Sequence, residues 1–197
     1  MVALPALGLA ACSSRSSSAV RPATSPVAPT TSLAQAPVAV ESNPPGDIPD
    51  NLAFVTFHDP GGRFSFSHPE GWVQSDTAGG VQFSDKLNGV TVTSGAGSAV
   101  PTVASARTRD VPALAAAQQA FTLTSVSAVT KPGGMGVLIV YRRNSSADPV
   151  TGRQYRDEVQ RYELASGGRE VVMELFGPVG ADNVDAYATM IRSVKLA

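Results

Sequence analysis

The aromatic residues of this chain all lie on one side of a sharp boundary. All twelve of them (seven Phe, four Tyr and one Trp) follow residue 53. Residues 13–50 contain none, and instead hold eight Ser, seven Pro, three Thr and six Ala. Such a segment buries too little apolar surface to offset the conformational entropy that it would lose on ordering. We therefore expect a disordered tether over residues 12–50 and a single folded domain over residues 51–197.

The predicted domain is nearly neutral. Its 147 residues suffice for one domain with its own core, and they carry 13 basic and 13 acidic side chains. Binding to nucleic acid requires a concentrated basic face, and adsorption to anionic lipid likewise requires clustered positive charge. The composition therefore argues against both partners. Arg outnumbers Lys twelve to three over the whole chain, which is typical of a GC-rich genome such as that of an actinobacterium.

The N-terminal residues follow the pattern of a bacterial lipobox. The run Leu9–Cys12 reads Leu-Ala-Ala-Cys, and it closes a short apolar stretch that starts at Val2. In a lipobox, a signal peptidase cuts before a cysteine whose sulfur carries a diacylglyceryl group. We therefore predict a signal peptide over residues 1–11 and lipidation of Cys12. This anchor would hold the protein on the extracytoplasmic face of the cell membrane.

One part of a secretory signal is missing from this N-terminus. Such signals begin with a basic region, but no Lys or Arg precedes Arg15, so we expect the true start codon to lie upstream. The apolar stretch is also shorter than the roughly 20 residues that cross a bilayer. The alternative interpretation is a chance apolar N-terminus on a cytoplasmic protein, with Cys12 an ordinary thiol.

Alternation of apolar and polar residues predicts strands in the folded part. The strands are expected at residues 53–58, 64–68, 81–83, 90–93, 135–143, 154–165 and 169–176. Turn-forming pairs separate several of them, including Asn88-Gly89 and Gly167-Gly168. The last three strands read as a meander that contains a polar loop at residues 144–152.

Two helices interrupt the predicted strands. Asp110 is a candidate cap for a helix that runs to Ala120, with Pro112 in its first turn. Asp182 is a candidate cap for a second helix with an apolar stripe, formed by Val184, Tyr187, Ile191 and Val194. Together these elements predict an α+β fold, in which helices flank an antiparallel sheet of six or seven strands.

Two parts of the chain resemble known proteins. The run Gly62–Trp72, an aromatic strand followed by Pro-x-Gly-Trp, resembles the opening of PsbP-like domains. The C-terminal part is similar to a group of actinobacterial lipoproteins of unassigned role, through the runs Asp148–Gly152, Arg161–Glu163 and Gly177–Asp185. The resemblance implies an α-β-α sandwich that serves as a binding or assembly accessory. It carries over no catalytic residue.

Mixed charges on the predicted strand pair at residues 141–163 form a candidate docking face. Arginine pairs well with planar anionic groups through its forked guanidinium, so a partner with an acidic patch would fit such a face. The arginines proposed for it are Arg142, Arg143, Arg156 and Arg161. The alternative is a solvated sheet face with weak cross-strand ion pairs.

Reactive side chains are sparse in the folded part. His58 and His68 are the only histidines, whereas a metal site generally needs three or four ligands. The chain also lacks the G-x-S-x-G run of a nucleophile elbow. We therefore expect no catalytic residue, no metal and no cofactor.

These observations favour a membrane-anchored, non-catalytic binding or assembly module of the cell envelope, with an envelope protein or cell-wall component as its partner. One alternative is a small-molecule or lipid carrier, which requires an apolar pocket between sheet and helices. Another is an enzyme, which would need His58 or His68 within hydrogen-bond reach of a carboxylate.

Overall fold

The computed structural model describes residues 35–42, 45–97 and 99–197. The predicted signal peptide, Cys12 and the predicted tether before residue 35 lie outside these residues. In the described ranges, no helix is both long enough and apolar enough to cross a membrane.

Two antiparallel sheets build the folded unit. The small sheet pairs β1 (Phe54–His58) with β2 (Phe64–Pro69), and the two-residue strand β10 (Lys195–Leu196) lies on the other side of β2. The large sheet consists of β3 (Val73–Thr77), β4 (Gly80–Asp85), β5 (Asn88–Ala96), β6 (Thr122–Lys131), β7 (Gly134–Asn144), β8 (Arg156–Ser166) and β9 (Arg169–Pro178). Its seven strands follow the spatial order β3-β4-β5-β9-β8-β7-β6. The fold is α+β, as predicted.

Helical segments lie between β5 and β6 and after β9. The first begins with α1 (Val103–Ser105), continues through a π-helical stretch (Ala106–Asp110) and ends as α2 (Val111–Ala117). The second is α3 (Val184–Ser193). The sheet of six or seven strands flanked by helices is thereby confirmed.

Neither predicted helix cap makes a capping hydrogen bond. Asp110 does directly precede α2, but its backbone is helical because the π-helical stretch continues into α2. The first helical segment starts at a capping box upstream, in which Thr102 and Ser105 exchange side-chain and backbone hydrogen bonds. Asp110 lies inside that segment and forms an ion pair with Arg109. Asn183, not Asp182, precedes α3, and its side chain makes no capping hydrogen bond. Tertiary contacts use the Asn183 side chain instead, so its capping function is lost.

The sequence analysis did not predict three of the strands, namely β3, β6 and the short β10. Both β3 and β6 are edge strands of the large sheet, and most of their residues are exposed or half-buried. An edge strand needs less apolar surface than a central one, so its alternation pattern is weak. The turn before β5 also differs from the prediction, because Asn88 and Gly89 are strand residues and the turn lies at Lys86, which has a positive φ of 51°.

Two hydrophobic clusters occupy opposite faces of the large sheet. One cluster joins α3 and the small sheet to the large sheet, with Phe66, Val90, Met173 and Met190 fully buried. Tyr187, Ile191 and Val194 of the predicted α3 stripe are buried, whereas Val184 is exposed. Met190, which was not predicted, is buried beside them.

The second cluster packs the first helical segment against β6, β7 and β8. Ala106 and Leu114 from the helices meet Val137, Ile139 and Tyr141 of β7. The helices thus cover one part of this face of the sheet, and a groove lies beside them.

Part of the predicted tether belongs to the folded unit. Ile48 is only 5% exposed and packs in the first hydrophobic cluster. Asp47 accepts a hydrogen bond from the backbone N–H of Asp182 at 2.8 Å. Residues 35–42 also contact the domain, through Asn144 among others. A few hydrogen bonds and a single buried side chain hold this segment. The prediction of disorder rested on the composition of the whole segment, which does not reveal such individual contacts.

Candidate functional site

An open groove of about 920 Å³ lies beside the C-terminal end of α2. It is bordered by the β4–β5 hairpin, by the residues that follow α2 and by the loop between β7 and β8. The groove exists because the helices pack over β6, β7 and β8. β4 contributes the side chains of Gln82 and Ser84 to this face of the sheet. Both line the groove, and both are half-buried.

Arg143 and Asp157 face each other in the groove. Arg143 Nε lies 3.8 Å from Asp157 Oδ2, and the two side chains are 18% and 4% exposed. The Arg143 guanidinium also donates from Nη1 to Gln118 Oε1 at 3.1 Å. Its central carbon lies 5.1 Å from the ring centroid of Phe176, within the range of a cation–π contact. Three neighbours therefore hold this guanidinium in place.

Burial changes the acidity of Asp157. Removal from water raises the pKa of its carboxyl from 3.8 to about 6, and the positive charges of Arg143 and Arg156 oppose that rise. Arg143 opposes the rise through a side-chain contact as well as through its charge. A carboxylate accepts several hydrogen bonds, so Asp157 can also accept one from a group that enters the groove.

Side-chain amides are the most frequent polar groups of the lining. They belong to Gln35, Gln82, Asn88, Gln118, Gln119, Asn144 and Gln154. An amide both donates and accepts hydrogen bonds, so this surface suits a ligand with polar groups of both kinds. A lipid carrier needs an enclosed apolar pocket, and an open, amide-lined groove does not provide one.

The four arginines of the predicted docking face do not act together. Neighbouring residues of a strand point to opposite faces of the sheet, so Arg142 and Arg143 diverge. Arg143 lines the groove, whereas Arg142 forms a partly exposed pair with Glu158 at 3.3 Å.

Arg156 and Arg161 are engaged inside the protein. Arg156 is 6% exposed and donates to the backbone oxygen of Ala120 at 2.7 Å and to Thr122 Oγ1 at 2.9 Å. Arg161 contacts Glu163 and Glu174, each at 2.7 Å. Both arginines support the sheet from within, so neither presents a free guanidinium fork to a partner.

The charge cluster around Arg161 is largely buried. Glu163 is 1% exposed, and its Oε2 atom has no hydrogen-bond partner among the described residues. Burial raises the pKa of the Glu163 carboxyl, against the opposing effect of Arg161. Tyr141 adds a hydrogen bond from its hydroxyl to Glu174 Oε1 at 3.3 Å. Arg161 therefore compensates carboxylates that burial would otherwise destabilise.

Neither histidine meets a carboxylate within hydrogen-bond distance in the described part of the chain. His68 is buried, stacks on Phe83 with ring centroids 3.6 Å apart, and has Nδ1 2.9 Å from the backbone oxygen of Pro69. His58 is exposed at the end of β1. Across the described ranges, no group of three or more His, Cys, Asp or Glu side chains is arranged to hold a metal. That the chain is not an enzyme stays a prediction.

Sequence analysis did not single out most of the groove. Asp157 appeared only as one charge in a mixed stretch, and Phe176 only as a strand residue. Gln118 and Asn144 lie 26 residues apart in the chain and carry no motif. Strand pairing brings Asn144, Asp157 and Phe176 together, and the end of α2 adds Gln118.

No protein-family model matches the chain, and no curated protein does. Among solved structures, the fold is similar to that of cyanobacterial PsbP from Synechocystis sp. PCC 6803, with 16% identity, 79% of this chain and 100% of that chain covered, and a TM-score of 0.48. It is also similar to LpqN of Mycobacterium tuberculosis, a protein involved in cell envelope biogenesis, with 15% identity, coverage of 75% and 92%, and a TM-score of 0.41.

A third similar structure comes from Bacteroides thetaiotaomicron VPI-5482, with 16% identity and a TM-score of 0.46. The match covers 72% of this chain and 48% of that one, so the present chain spans about half the length of that protein. These three likenesses concern the fold, and none of them bears on the role of any residue in this chain.

Proposed function

We propose that this chain is a lipid-anchored, non-catalytic binding module of the cell envelope, and that its partner binds in the groove. The observation that carries the proposal is the Arg143–Asp157 pair, which lies nearly buried in an open groove lined by amides. A rigidly held polar pair in a concave surface gives specificity without new ordering of side chains. The partner is an envelope protein or a cell-wall component, as the expected exported location requires.

The anchor belongs to the same proposal. Lipidation of Cys12 would hold the module at the outer face of the membrane, because two or more acyl chains bind a bilayer stably where a single chain does not. The test is the full-length precursor with Cys12→Ser. We expect the unaltered protein to partition into detergent and the variant to remain in the aqueous phase. Equal partitioning of the two would overturn the anchor.

Site-specific photo-crosslinking tests the groove. A photoreactive amino acid replaces Ser84 inside the groove, or Asp76 on the exposed edge strand β3 as the control. We expect a discrete crosslinked species in envelope preparations from the Ser84 position and none from the Asp76 position. Arg143→Ala in the Ser84 background is expected to reduce the crosslink at least fivefold.

A matched variant controls for a loss of crosslinking that follows from removing any arginine in this region. Arg142→Ala removes the neighbouring, partly exposed arginine and is expected to leave the crosslink unchanged. Thermal unfolding of the Arg143→Ala protein verifies that its fold is retained. Identical crosslinking at Ser84 and Asp76, or a crosslink that does not respond to Arg143→Ala, would refute the groove as the binding surface.

A further inference from the structure

Residues 35–42, called the strap below, lie along one wall of the groove without forming helix or strand. Three side chains of the domain hold them. Asn144 binds the strap backbone, Gln154 contacts Gln35, and Arg153 forms an ion pair with Glu41. The strap is therefore a peptide segment, neither helical nor paired in a sheet, that is already bound to this wall within the same chain.

The Asn144 side chain holds the strap backbone from two sides. Its Oδ1 accepts a hydrogen bond from the Val38 N–H at 3.0 Å, and its Nδ2 donates to the Ala36 carbonyl at 2.8 Å. In an extended chain, residues i and i+2 present their backbone groups on the same side, so one amide reaches the two groups that flank Pro37. This contact recognises an extended backbone independently of its side chains.

The domain itself helps to orient the Asn144 side chain. The residue is 4% exposed with the strap in place, and Arg156 Nη1 donates to its Oδ1 atom at 3.3 Å. Because a guanidinium can only donate, this contact directs the amide oxygen and nitrogen to their respective partners. A side chain that is fixed in advance loses little entropy on binding.

The remaining strap contacts are polar and partly solvated. Gln35 Nε2 donates to Gln154 Oε1 at 2.6 Å. Glu41 and Arg153 are 33% and 55% exposed, and the Arg153 guanidinium lies 4.8 Å from the centroid of the Tyr155 ring. Val40 is 50% exposed. A segment held in this way opens at low free-energy cost, because little apolar surface leaves water when it docks.

We propose that the wall formed by Asn144, Arg153 and Gln154 is a binding site for an extended, proline-containing peptide segment of the partner, and that the strap is its intramolecular competitor. In this segment, the residue before the proline offers its backbone carbonyl and the residue after the proline offers its backbone N–H. An acidic side chain follows four residues after the proline, as Glu41 follows Pro37. This inference rests on the proposed function, since it names the chemical class that the groove receives. A tethered competitor lowers the apparent affinity for the partner until it is displaced.

Fluorescence anisotropy with a labelled peptide tests the inference on the full-length chain. The probe has the sequence of the strap, Gln-Ala-Pro-Val-Ala-Val-Glu-Ser. Val38→Pro in the chain removes the N–H that Asn144 accepts, and so releases the strap. We expect the Val38→Pro protein to bind the probe at least tenfold more tightly than the unaltered protein does.

Two further measurements identify the site. A probe with proline in place of its first valine lacks the same N–H, and we expect it to bind at least tenfold more weakly. Arg153→Glu is added to the Val38→Pro protein, in which the strap is released. We expect this double variant to bind the original probe more weakly, and to bind well a probe in which arginine replaces the glutamate. Arg153 is exposed, so this charge exchange does not depend on the buried Asn144. Arg142→Ala serves as the neutral control.

The outcomes separate this inference from the proposed function. The peptide site would be overturned if the Val38→Pro protein did not bind the probe. It would also be overturned if neither the proline-substituted probe nor the charge exchange at Arg153 changed the affinity. If the Ser84 crosslink persists in that case, the groove remains the binding surface for a different ligand class. If the crosslink is also absent, both proposals fall.

Discussion

Asn183 and Ile48, which are 135 residues apart in the chain, are joined by a buried hydrogen bond, in which the Ile48 N–H donates to Asn183 Oδ1 at 2.8 Å. The same side chain donates from Nδ2 to Asn88 Oδ1 at 2.9 Å. One amide thus connects the segment before β1, the first residue of β5 and the residue that precedes α3. This junction attaches the N-terminal segment to the folded unit.

Replacement of Asn183 by alanine should therefore destabilise the protein. It leaves the Ile48 N–H and the Asn88 side chain without their partner in a buried place, which costs about 1–3 kcal/mol for each such group. We expect the free energy of unfolding to fall by about 2–4 kcal/mol in urea denaturation. Asp182→Ala, at the exposed neighbouring position, is expected to change it by less than about 0.5 kcal/mol. Equal effects of the two variants would contradict this role.

Gly177 provides a second test of the same junction. A Cβ atom at this position would overlap Asn88 Oδ1 and would lie 2.9 Å from the Tyr187 hydroxyl oxygen. Because the neighbours are buried, Gly177→Ala is expected to lower the free energy of unfolding by about 1–3 kcal/mol. Gly95→Ala in β5 is the matched control, since a Cβ there meets nothing within 4 Å. Urea denaturation of both variants measures the difference. If Gly177→Ala were as stable as the control, the space around residue 177 would not be as crowded as described.

Arg161 and Arg142 lie on neighbouring paired strands but in different surroundings. Arg161 contacts Glu163, whose side chain is 2% exposed, and Glu174, whose side chain is 16% exposed. Removing one member of a buried ion pair costs about 3–5 kcal/mol, because the other charge stays uncompensated. We therefore expect Arg161→Met to destabilise the protein by about 3 kcal/mol or more at pH 7.

The corresponding change at Arg142 is the control for that experiment. Its partner Glu158 is 38% exposed, and Arg142 itself is 40% exposed, so Arg142→Met should cost less than about 1 kcal/mol. Thermal or urea unfolding of both proteins provides the measurement. Similar losses for the two variants would show that the Arg161 cluster is not buried in the way described.

Asp157 should make stability depend on pH between about 4 and 6. Its carboxyl has a pKa of about 6 in the folded protein and an ordinary value of 3.8, so in this interval the folded state binds more protons than the unfolded state. Stability then falls as the pH rises. With about 1.4 kcal/mol for each pKa unit, the loss attributable to Asp157 is at most about 3 kcal/mol.

Asp157→Asn isolates this contribution from those of other carboxyls. The variant should gain stability relative to the unaltered protein as the pH rises from 4 to 7, and the difference should level off above the folded pKa. Urea unfolding at a series of pH values measures it. Parallel pH profiles for the two proteins would show that burial does not perturb the Asp157 carboxyl.

Local sequence patterns predicted much of the sheet. Alternation around Phe64, Phe66 and Phe83 predicted β2 and β4, and the alternating residues 90–93 predicted β5. The content of residues 135–176, with Gly167-Gly168 as a separator, predicted the meander of β7, β8 and β9. In the described ranges, the buried apolar residues follow residue 53, except Ile48 in the predicted tether. These features depend on residues that are close in the chain, so a short window contains the necessary signal.

The groove could not be predicted in the same way. Arg143 and Asp157 come together because β7 and β8 pair in a particular register, and Phe176 joins them from β9. A shift of that register by one residue would turn Arg142, rather than Arg143, toward the helix-covered face. The alternation pattern in the arginine-rich stretch does not indicate the face of each charge.

The sequence by itself determined the fold class and most of the strands of this protein, because apolar alternation and aromatic content are local properties of the chain. The tertiary structure alone decided which arginine lines the groove, that Asn144 holds residues 36 and 38, and that Asn183 binds Ile48 instead of capping a helix. Those contacts join residues more than 10 positions apart, and their geometry follows from strand register and helix placement, which no single segment encodes.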